Sequence, residues 1–372
     1  MAQLYVGLMS GTSLDGVDGV LVEWSDDAAQ GAHVHAHCHL PFDDMLTAEL
    51  LALNRRGEDE LHRAALAGNA VARRYAEVVE KLLARASLPA SAVTAIGAHG
   101  QTVRHRPQQF DGCGYTLQLN NPALLAELAG IAVIADLRSR DLAAGGQGAP
   151  LVPAFHQAMF GRRGTSLAVL NLGGISNLTL LGADGSVLGF DCGPGNALLD
   201  HWVRLHRAQA FDAAGQWAAS GRVIEPLLSV LQQEPYFDQS PPKSTGRDLF
   251  HAEWLAQRLA SFGAAAAADV QATLAELTAW ACARDLQRSA PQARELLVCG
   301  GGAFNDHLMA RLAARLPGVH VGSTAERGLP PDQVEACAFA WLARAFTRRE
   351  PGSLPAVTGA RGARVLGCLY PA

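Results

Sequence analysis

Asp191 is the side chain that the sequence places best for moving a proton. It follows an apolar run, residues 187–190, that predicts a buried strand, and the glycine-rich turn 192–196 comes directly after it. A carboxylate fixed between a strand and a helix start can serve as a general base or as a metal ligand. The alternative is that Asp191 only accepts hydrogen bonds from the amides of its own turn.

Glu335 is a second acidic candidate whose context also allows a structural role. Two prolines are followed by Asp332, and Glu335 stands three residues later. This spacing matches a capping box, in which Asp332 is the N-cap of a helix and Glu335 occupies position N3. Catalysis and helix capping are therefore two open alternatives for Glu335.

Four glycine-rich turns follow predicted strands, and they lie at residues 10–13, 173–174, 193–195 and 300–302. Ligands of α/β proteins collect at strand ends, where backbone amides and helix N-termini are available. The chain lacks the Gly-x4-Gly-Lys-Ser/Thr sequence of a P-loop, and no Gly-x-Gly-x-x-Gly opens a helix. In the first turn, free amides and two hydroxyls suit a polyphosphate, and an ordinary Asp-Gly hairpin turn is the alternative.

Further polar side chains follow strand-like segments and suit a sugar ligand. His99, Gln101 and Thr102 come after the apolar run 93–96, and groups of this type line polar ligand pockets. A structural role beside the core is the alternative for them. Arg138 can bind a carboxylate or a phosphate through two parallel hydrogen bonds, unless it is an exposed loop residue.

Two other polar segments have open roles. Residues 243–247 read Lys-Ser-Thr-Gly-Arg and suit contact with phosphate, although the two preceding prolines also suit a mobile loop. Histidines occupy every second position of the predicted strand 32–40 and share one face: His33, His35, His37, His39. Ligands in a row on a flat strand cannot surround one ion, so we interpret this face as solvent-facing rather than metal-binding.

The composition argues against several classes of protein. The chain has 372 residues and a net charge of −5, unlike the basic surface that nucleic acids require. Its seven cysteines are scattered without a CxxC pair, which indicates reduced thiols rather than disulfides or a zinc site. Neither a secretory signal nor a run of about 18 apolar residues is visible, so we expect a cytoplasmic protein without a membrane span.

Strands and helices alternate along the chain, which predicts an α/β fold. Each half opens with a strand, a glycine-rich turn and two further strands, so we expect two related α/β domains. The glycine-rich segment 143–150 suggests the boundary between them. We predict an N-terminal domain over residues 1–140, with the tail at about 355–372 as a candidate to return to it, and a C-terminal domain over residues 141–355.

Taken in order, the motifs resemble those of the anhydro-N-acetylmuramic acid kinase family. The matching segments run nearly from end to end and lie at residues 7–18, 97–102, 171–177, 191–196, 242–247, 299–305 and 365–371. The family belongs to the superfamily of sugar kinases, heat-shock protein 70 and actin. The resemblance therefore implies two RNase H-like domains flanking an ATP cleft.

The resemblance also implies a reaction. Members of the family use ATP to convert 1,6-anhydro-N-acetylmuramate and water into N-acetylmuramate 6-phosphate, in cell-wall recycling and amino-sugar catabolism. We therefore expect ATP and Mg²⁺ as cofactors and a small anhydrosugar as the partner, without a nucleic acid or membrane partner. A homodimer is left open.

The resemblance assigns roles to individual residues. Asp191 matches the base that takes a proton from the water attacking C1, and Glu335 matches a second acid that orients this water. The expected nucleotide-binding residues form the phosphate loop, the second-half turn and the adenosine-side turn: Gly11, Thr12, Ser13, Leu14, Asp15, Gly16, Val17, Asp18, Gly173, Gly174, Asn177, Gly300, Gly301, Gly302, Asn305. The expected sugar contacts are His99, Gln101, Thr102 and Arg138, with Arg138 as the candidate for the lactyl carboxylate.

Met9 marks a departure from the wider superfamily. Many of those kinases carry Asp-x-Gly-x-Thr in the first turn, with the aspartate near Mg²⁺, whereas residues 9–13 here read Met-Ser-Gly-Thr-Ser. A thioether cannot serve a hard cation, which requires oxygen ligands. The metal ligands therefore stay undetermined among phosphates, water, Asp15, Asp18 and Asp191.

Two other functions are compatible with the sequence. In a hexosamine kinase of the same fold, Asp191 would deprotonate the sugar 6-hydroxyl directly. A non-catalytic nucleotide-binding regulator would bind ATP and leave it intact, without any use for Asp191. Products formed from N-acetylmuramate and from its 1,6-anhydro form distinguish these alternatives.

Overall fold

The computed structural model describes residues 3–11, 13–25, 32–246 and 248–372. Its strands are, in chain order, β1 (Gln3–Ser10), β2 (Gly16–Trp24), β3 (Ala32–Pro41), β4 (Val93–Pro107), β5 (Gly114–Leu119), β6 (Val133–Ala135), β7 (Leu167–Leu172), β8 (Ile175–Leu181), β9 (Val187–Pro194), β10 (Glu295–Cys299), β11 (His320–Ser323) and β12 (Cys368–Tyr370). Its α-helices are α1 (Asp44–Ala52), α2 (Glu60–Ala86), α3 (Pro122–Ala129), α4 (Ser139–Ala143), α5 (Val152–Phe160), α6 (Ala197–Arg207), α7 (Gln216–Ser220), α8 (Glu225–Gln232), α9 (Ala252–Leu259), α10 (Ala267–Ser289), α11 (Asp306–Arg315), α12 (Val334–Thr347) and α13 (Pro355–Thr358).

The chain forms two compact units. The first comprises Met1–Met159 together with Gln333–Ala372, and the second comprises Phe160–Asp332. Both carry a sheet with helices packed against it, so the predicted α/β class is confirmed.

The first unit is built on a sheet that has, within the described residues, seven strands. Their order is β12-β6-β4-β1-β2-β3, and β5 pairs with the far part of β4. Strands β1, β2 and β3 form an antiparallel meander, whereas β4 is parallel to β1 and β6 is parallel to β4. Helix α2 covers this sheet because its buried residues recur at helical spacing, with Val71, Tyr75, Val78 and Leu82 fully enclosed.

The second unit repeats this strand order. Its described strands run β11-β10-β7-β8-β9, with an antiparallel meander β7-β8-β9 and with β10 and β11 parallel to β7. Reading both sheets from the meander gives β3-β2-β1-β4-β6 and β9-β8-β7-β10-β11. The predicted duplication of an α/β unit is therefore present at the level of topology.

The limits of the units differ from the predicted domain limits of 140 and 355. Helix α12 lies against β1 and β4 of the first unit. Gly7 and Gly97 permit this approach, because an added Cβ would collide with the carbonyl oxygens of Ala336 and Phe339 on α12. The chain thus re-enters the first unit at residue 333, and its tail adds β12 beside β6.

Two strands extend beyond their predicted ends. Strand β4 continues through the expected turn at 97–102 because it bends at Gly100, where φ is 77°, and then pairs with β5. Strand β9 continues past Asp191 to Pro194, with an irregular register opposite Ser176 and Asn177. Such bulges re-aim side chains next to functional sites.

The described helices include none that is both long enough and apolar enough to span a bilayer. All seven cysteines are free thiols, and five of them are buried: Cys38, Cys192, Cys282, Cys299, Cys337.

Candidate active site

The predicted phosphate loop connects β1 and β2, whose paired residues run from Gln3 with Trp24 to Met9 with Asp18. The amide of Leu14 donates to the carbonyl of Gly11 at 3.3 Å, and Leu14 itself has a φ of 60°. Its apolar side chain is buried, which fixes the turn to the core. The segment that is predicted to bind phosphate is therefore also the turn of the β1–β2 hairpin.

The polar atoms of this loop differ in exposure. Ser13 and Asp15 are exposed, and the Ser13 hydroxyl donates to Asp15 Oδ1 at 2.6 Å. Gly16 and Val17 already belong to β2, and the Val17 side chain is buried. Thr12 lies outside the described residues.

The base of the loop is anchored to α2 and β4. Ser10 is buried, and its hydroxyl lies 2.9 Å from the hydroxyl of Tyr75 on α2. The amide of Gly100 donates to the same Tyr75 oxygen at 3.1 Å. Burial raises the pKa of Tyr75, so this phenol stays protonated and can donate while it accepts.

Gln101 and Thr102 lie within β4 rather than after it. Gln101 is fully buried, and its Nε2 donates to the carbonyl of Gly11 at 3.0 Å. Its Oε1 is buried and has no hydrogen-bond partner among the described residues, so it can accept from a ligand hydroxyl. The Thr102 hydroxyl instead accepts from Gln118 Nε2 at 3.1 Å.

His99 and Arg138, two predicted sugar contacts, bind each other. Arg138 Nε and Nη2 lie 3.1 and 2.9 Å from His99 Nε2, and Arg138 Nη1 donates to the carbonyl of Gly148 at 2.7 Å. A guanidinium only donates, so His99 Nε2 accepts, and its Nδ1, 3.3 Å from the carbonyl of Ser10, carries the proton. Burial and then the Arg138 charge hold the pKa of His99 well below its usual value, which keeps the imidazole neutral.

Glu335 lies at the start of α12, and the structure contradicts the capping-box alternative for it. The helix begins at Val334, and its N-cap is Gln333 rather than Asp332, without a side-chain capping bond. The pKa of Glu335 is raised to about 7, first by burial and then by the charge of Asp18, while Arg138 opposes this rise. A carboxyl group that titrates near neutral pH is typical of a functional site.

Asp18 connects the loop to the histidine face of β3. Its Oδ1 lies 2.9 Å from His39 Nδ1 and 3.6 Å from His37 Nε2. Burial alone would raise the pKa of Asp18, but hydrogen bonds from these histidines outweigh it and lower the pKa. In turn, Asp18 raises the pKa of His39.

The histidine face itself points to solvent. His33, His35 and His39 are exposed, and His35 lies 2.7 Å from Glu23. Across the described part of the chain, no three His, Cys, Asp or Glu side chains meet as a candidate metal site. Mg²⁺ often uses only one or two carboxylates plus phosphate oxygens, so Asp15 and Asp18 suit a metal that arrives with a nucleotide.

Asp191, in the second unit, is held at three atoms. Its amide donates to the carbonyl of Lys243 at 3.2 Å, and its carbonyl accepts from the Tyr236 hydroxyl at 2.7 Å. Its Oδ2 accepts from the amide of Thr245 at 3.0 Å. Burial raises the pKa of Asp191 to about 6, although the Thr245 bond and the Lys243 charge oppose it. The carboxylate is therefore both fixed and basic enough to accept a proton near neutral pH.

A row of polar side chains crosses the sheet beside Asp191. Asn177 on β8 pairs with Asn171 on β7 and with Asp191 on β9. Directly paired residues share a face of the sheet, so these three polar groups lie side by side. Asn171 Oδ1 is buried without a hydrogen-bond partner among the described residues, and it lies against Gly300.

The glycine turns of the second unit frame this row. Gly300, at a φ of 78°, follows β10, and any side chain there would collide with Asn171 Oδ1. Gly301 and Gly302 open a short 3-10 helix. Asn305, an expected nucleotide-binding residue, caps α11: its Oδ1 accepts from the amide of Leu308 at 2.9 Å and is already engaged.

The turn between β7 and β8 is tied to the start of α6. The carbonyls of Gly173 and Gly174 accept from the amides of Asn196 and Gly195 at 2.8 and 3.0 Å. Asn196 occupies the N-cap position of α6 without a side-chain capping bond, and its Nδ2 donates to the carbonyl of Leu172 at 2.9 Å. These bonds hold the Gly173 turn next to the polar row.

The structure thus groups the predicted residues within each unit. In the first, the loop, Gln101, His99, Arg138 and Glu335 are linked by hydrogen bonds or charge. Asn171 and Lys243 were missed as neighbours of Asp191, although a polar residue inside the apolar run of β7 was a usable signal for Asn171. Lys243 is buried in an ion pair rather than free to bind phosphate, and Arg247 lies outside the described residues.

Comparisons with known proteins agree along the whole chain. A family model described as "Anhydro-N-acetylmuramic acid kinase" matches residues 3–372. A protein of that name from Variovorax paradoxus (strain S110) is 63% identical, with 100% of this chain and 99% of the relative covered. Another from Albidiferax ferrireducens is 61% identical, with full coverage of both chains (100% each). Among solved structures, the (R)-2-hydroxyglutaryl-CoA dehydratase component A of Acidaminococcus fermentans has a TM-score of 0.48 at 11% identity, covering 91% of this chain and 96% of that one.

Proposed function

We propose, because this chain belongs to the anhydro-N-acetylmuramic acid kinase family, that it converts 1,6-anhydro-N-acetylmuramate, ATP and water into N-acetylmuramate 6-phosphate and ADP. This is a reaction of peptidoglycan recycling. The observation that best supports it is Asp191, a carboxylate held at its amide, its carbonyl and its Oδ2, with a pKa of about 6.

The reaction adds one water molecule to the sugar and transfers one phosphoryl group from ATP to it. Water attacks C1 and the bond from C1 to O6 breaks, so that O6 leaves with the electron pair. O6 then takes the γ-phosphoryl group, and ADP departs. Asp191 accepts the proton that the water loses, which drives this departure without a separate deprotonation of a sugar hydroxyl.

Asp191 suits this task in both pKa and orientation. A base works best when its pKa lies near the working pH, because it must be ionised yet still attract a proton. The Thr245 amide occupies Oδ2, so Oδ1 is left as the acceptor for the water proton. Asn177 and Asn171, in the same row, can orient groups around that water.

Glu335 would act as the second acid. With a pKa of about 7, it is partly ionised at neutral pH and can accept a hydrogen bond from the attacking water. Arg138 would bind the lactyl carboxylate, since its guanidinium carries more donors than His99 and Gly148 use. Gln101 Oε1, as an unpaired buried acceptor, would take a sugar hydroxyl.

The loop from Gly11 to Asp18 would hold the ATP phosphates through its amides and hydroxyls. Mg²⁺, when bound, would neutralise charge on the phosphates, and Asp15 and Asp18 would be its protein ligands. Both are oxygen donors on the loop itself, which fits a hard cation better than Met9 does.

The proposal extends to compartment and assembly. ATP is a cytoplasmic co-substrate, so the reaction belongs in the cytoplasm. Sedimentation of the purified protein measures directly whether two chains of 39.2 kDa associate.

The test uses ATP, 1,6-anhydro-N-acetylmuramate and ¹⁸O-labelled water, with mass spectrometry of the product. The label should appear at C1 and the phosphate on O6. Asp191→Asn should retain the fold and ATP binding but lose at least about 10³-fold in turnover, since it removes the proton acceptor. Asp184→Asn, an exposed turn residue of the same unit, serves as the matched control. Phosphorylation of N-acetylmuramate without any product from the anhydro form would favour an ordinary hexosamine kinase, and near-normal turnover in Asp191→Asn would refute the base.

A further inference from the structure

Besides its pairing with Asn177 on β8, Asp191 makes three hydrogen bonds to one stretch of chain, residues 236–245. The hydroxyl of Tyr236, the carbonyl of Lys243 and the amide of Thr245 each contact it. The bond from the Thr245 amide to Oδ2 makes the orientation of this carboxylate depend on the position of the 236–245 segment, so a contact that holds the segment also helps to orient Asp191.

The segment is fixed by a buried ion pair. Lys243 Nζ lies 2.8 Å from Asp285 Oδ2 on α10, and the two side chains are only 1% and 6% exposed. At this distance the attraction between the two opposite charges is strong, and it opposes the rise in the Asp285 pKa that burial causes. The ammonium also lies 4.9 Å from the ring centre of Tyr236 and 5.9 Å from that of Phe190, both favourable cation–π distances.

The stability of the protein does not by itself require a charged pair at these two positions. Replacing a buried ion pair by apolar side chains of similar volume is often neutral or stabilising, so stability is a weak reason for its presence. The pair instead lies beside the proposed catalytic base: the Lys243 charge lowers the pKa of Asp191, and the Lys243 carbonyl accepts a hydrogen bond from the Asp191 amide.

Resting on the proposed role of Asp191 as the base, we propose that Lys243 and Asp285 are positioning residues for it. The ion pair holds the 236–245 segment against α10, and the segment in turn orients the carboxylate. The Lys243 ammonium also favours the ionised form of Asp191, while Asp285 balances the lysine charge inside the unit.

The charged and titratable groups around Asp191 in this unit come from three elements. The segment contributes Lys243 and Tyr236, helix α10 contributes Asp285 and Cys282, and β9 contributes Cys192. Burial raises the pKa of the Cys192 thiol and of the Tyr236 phenol, so both stay neutral at the pH of the assay. Removal of the Lys243 charge should therefore raise the pKa of Asp191.

Two readouts separate positioning from a purely structural role. The first is titration of the Asp191 carboxyl carbon by ¹³C NMR in aspartate-labelled full-length protein, with Asp191→Asn to assign the resonance. The second is the pH profile of kcat/KM with anhydrosugar and ATP. The variants are Lys243→Met, Asp285→Asn and the double variant Lys243→Met/Asp285→Leu, which removes both charges and keeps the site packed.

Lys243→Met should raise the Asp191 pKa by about 1–3 units and move the acidic limb of the pH profile upward by the same amount. Asp285→Asn should leave that pKa unchanged or lower it, because this variant removes a negative charge and leaves Lys243 in place. The KM for ATP should stay within about twofold in both variants, since the loss concerns the reacting atoms. If Lys243→Met does not fold, the double variant answers the same question; the Asp191 pKa should again rise, by less than in Lys243→Met, because the negative charge of Asp285 is removed as well.

Glu276→Gln is the matched control. Glu276 is a buried acid on the same helix, and it pairs with Arg311 and Arg315 away from the 236–245 segment. Its loss should lower the melting temperature without moving the Asp191 titration or the pH profile.

An Asp191 pKa that is the same in wild type, Lys243→Met and the double variant would overturn the proposal. Equal upward movement in Lys243→Met and Glu276→Gln would do the same, because general loosening would then explain both. Absence of any turnover of anhydrosugar by the wild type would instead count against the proposed function, while the NMR titration would still decide the role of the pair.

Discussion

Replacing Glu335 by glutamine should stabilise the first unit while it lowers turnover, and the gain should depend on pH. Burial and the charge of Asp18 raise the pKa of Glu335 from its ordinary value of 4.5 to about 7, with partial compensation by Arg138. The folded protein therefore binds this proton more tightly than the unfolded chain does. As the pH rises from about 4.5 through about 7, the free energy of unfolding falls.

The size of the effect follows from that difference. Each pKa unit is worth about 1.4 kcal/mol, so the rise from 4.5 to about 7 corresponds to about 3 kcal/mol above neutral pH. Because Glu335 retains some solvent contact and its neighbours can relax, we expect about 2 kcal/mol. Glutamine has nearly the same shape and no charge, so Glu335→Gln should gain about 2 kcal/mol near pH 8 and almost nothing below about pH 4.5.

The measurement must report on the first unit by itself, since two units need not unfold together. Hydrogen exchange of β1 and β4 peptides, followed by mass spectrometry near pH 5 and pH 8, gives the free energy of unfolding of that sheet after correction for the intrinsic exchange rate. Peptides from β7 serve as the internal reference, and Glu350→Gln, an exposed acid of the same unit, is the control. A loss of stability in Glu335→Gln near pH 8, or the same change at both pH values, would refute the assignment of a buried carboxylate with a raised pKa.

Three further predictions follow from single contacts. The pKa of Asp191, about 6, predicts that kcat/KM falls about tenfold per pH unit below about pH 6, because a base must be deprotonated; a profile that stays flat to about pH 4.5 contradicts this. Gly97→Ala should cost about 3 kcal/mol in urea unfolding, since its Cβ would collide with the carbonyl of Phe339, and an unchanged midpoint would show that α12 is less closely packed. Asn305→Ala should cost about 1 kcal/mol by loss of the cap on Leu308, whereas Asn305→Asp should stay within a few tenths, so equal losses would exclude capping.

The strand and turn pattern of the sequence predicts the α/β class and the duplicated meander, because apolar runs of both halves are real strands. The same pattern places the ends of β4 and β9 too early along the chain. Polar residues such as Gln101 and Asp191 mark the apparent end of each strand, yet both lie inside strands whose polar side chains face other groups of their units. Hydrophobic periodicity detects burial in a core, and it fails where a strand is lined by buried polar side chains.

The capping-box spacing also predicts the wrong first residue for α12. Asp332 and Glu335 have the spacing of a capping box, but the helix begins two residues after Asp332, and Glu335 is half-buried in its first turn. The packing of α12 on Gly7 and Gly97 decides this, and these glycines are far away along the chain. In the same way, Lys243 follows two prolines that suggest mobility, and only its distant partner Asp285 shows that it is buried.

Asp191 and Glu335 owe their raised pKa values to the same combination of effects, although they lie in different units. Burial raises the pKa of Asp191 and of Glu335, and in each case one cation of the same unit opposes the rise, Lys243 for the first and Arg138 for the second. Each cation is restrained by other partners, Asp285 and His99 respectively, so neither forms a close ion pair that would hold its acid fully ionised. The result is two carboxyl groups with pKa values of about 6 and about 7, a range that is typical of functional sites. A closer cation would make either acid a weaker base, and a more distant one would leave it protonated at neutral pH.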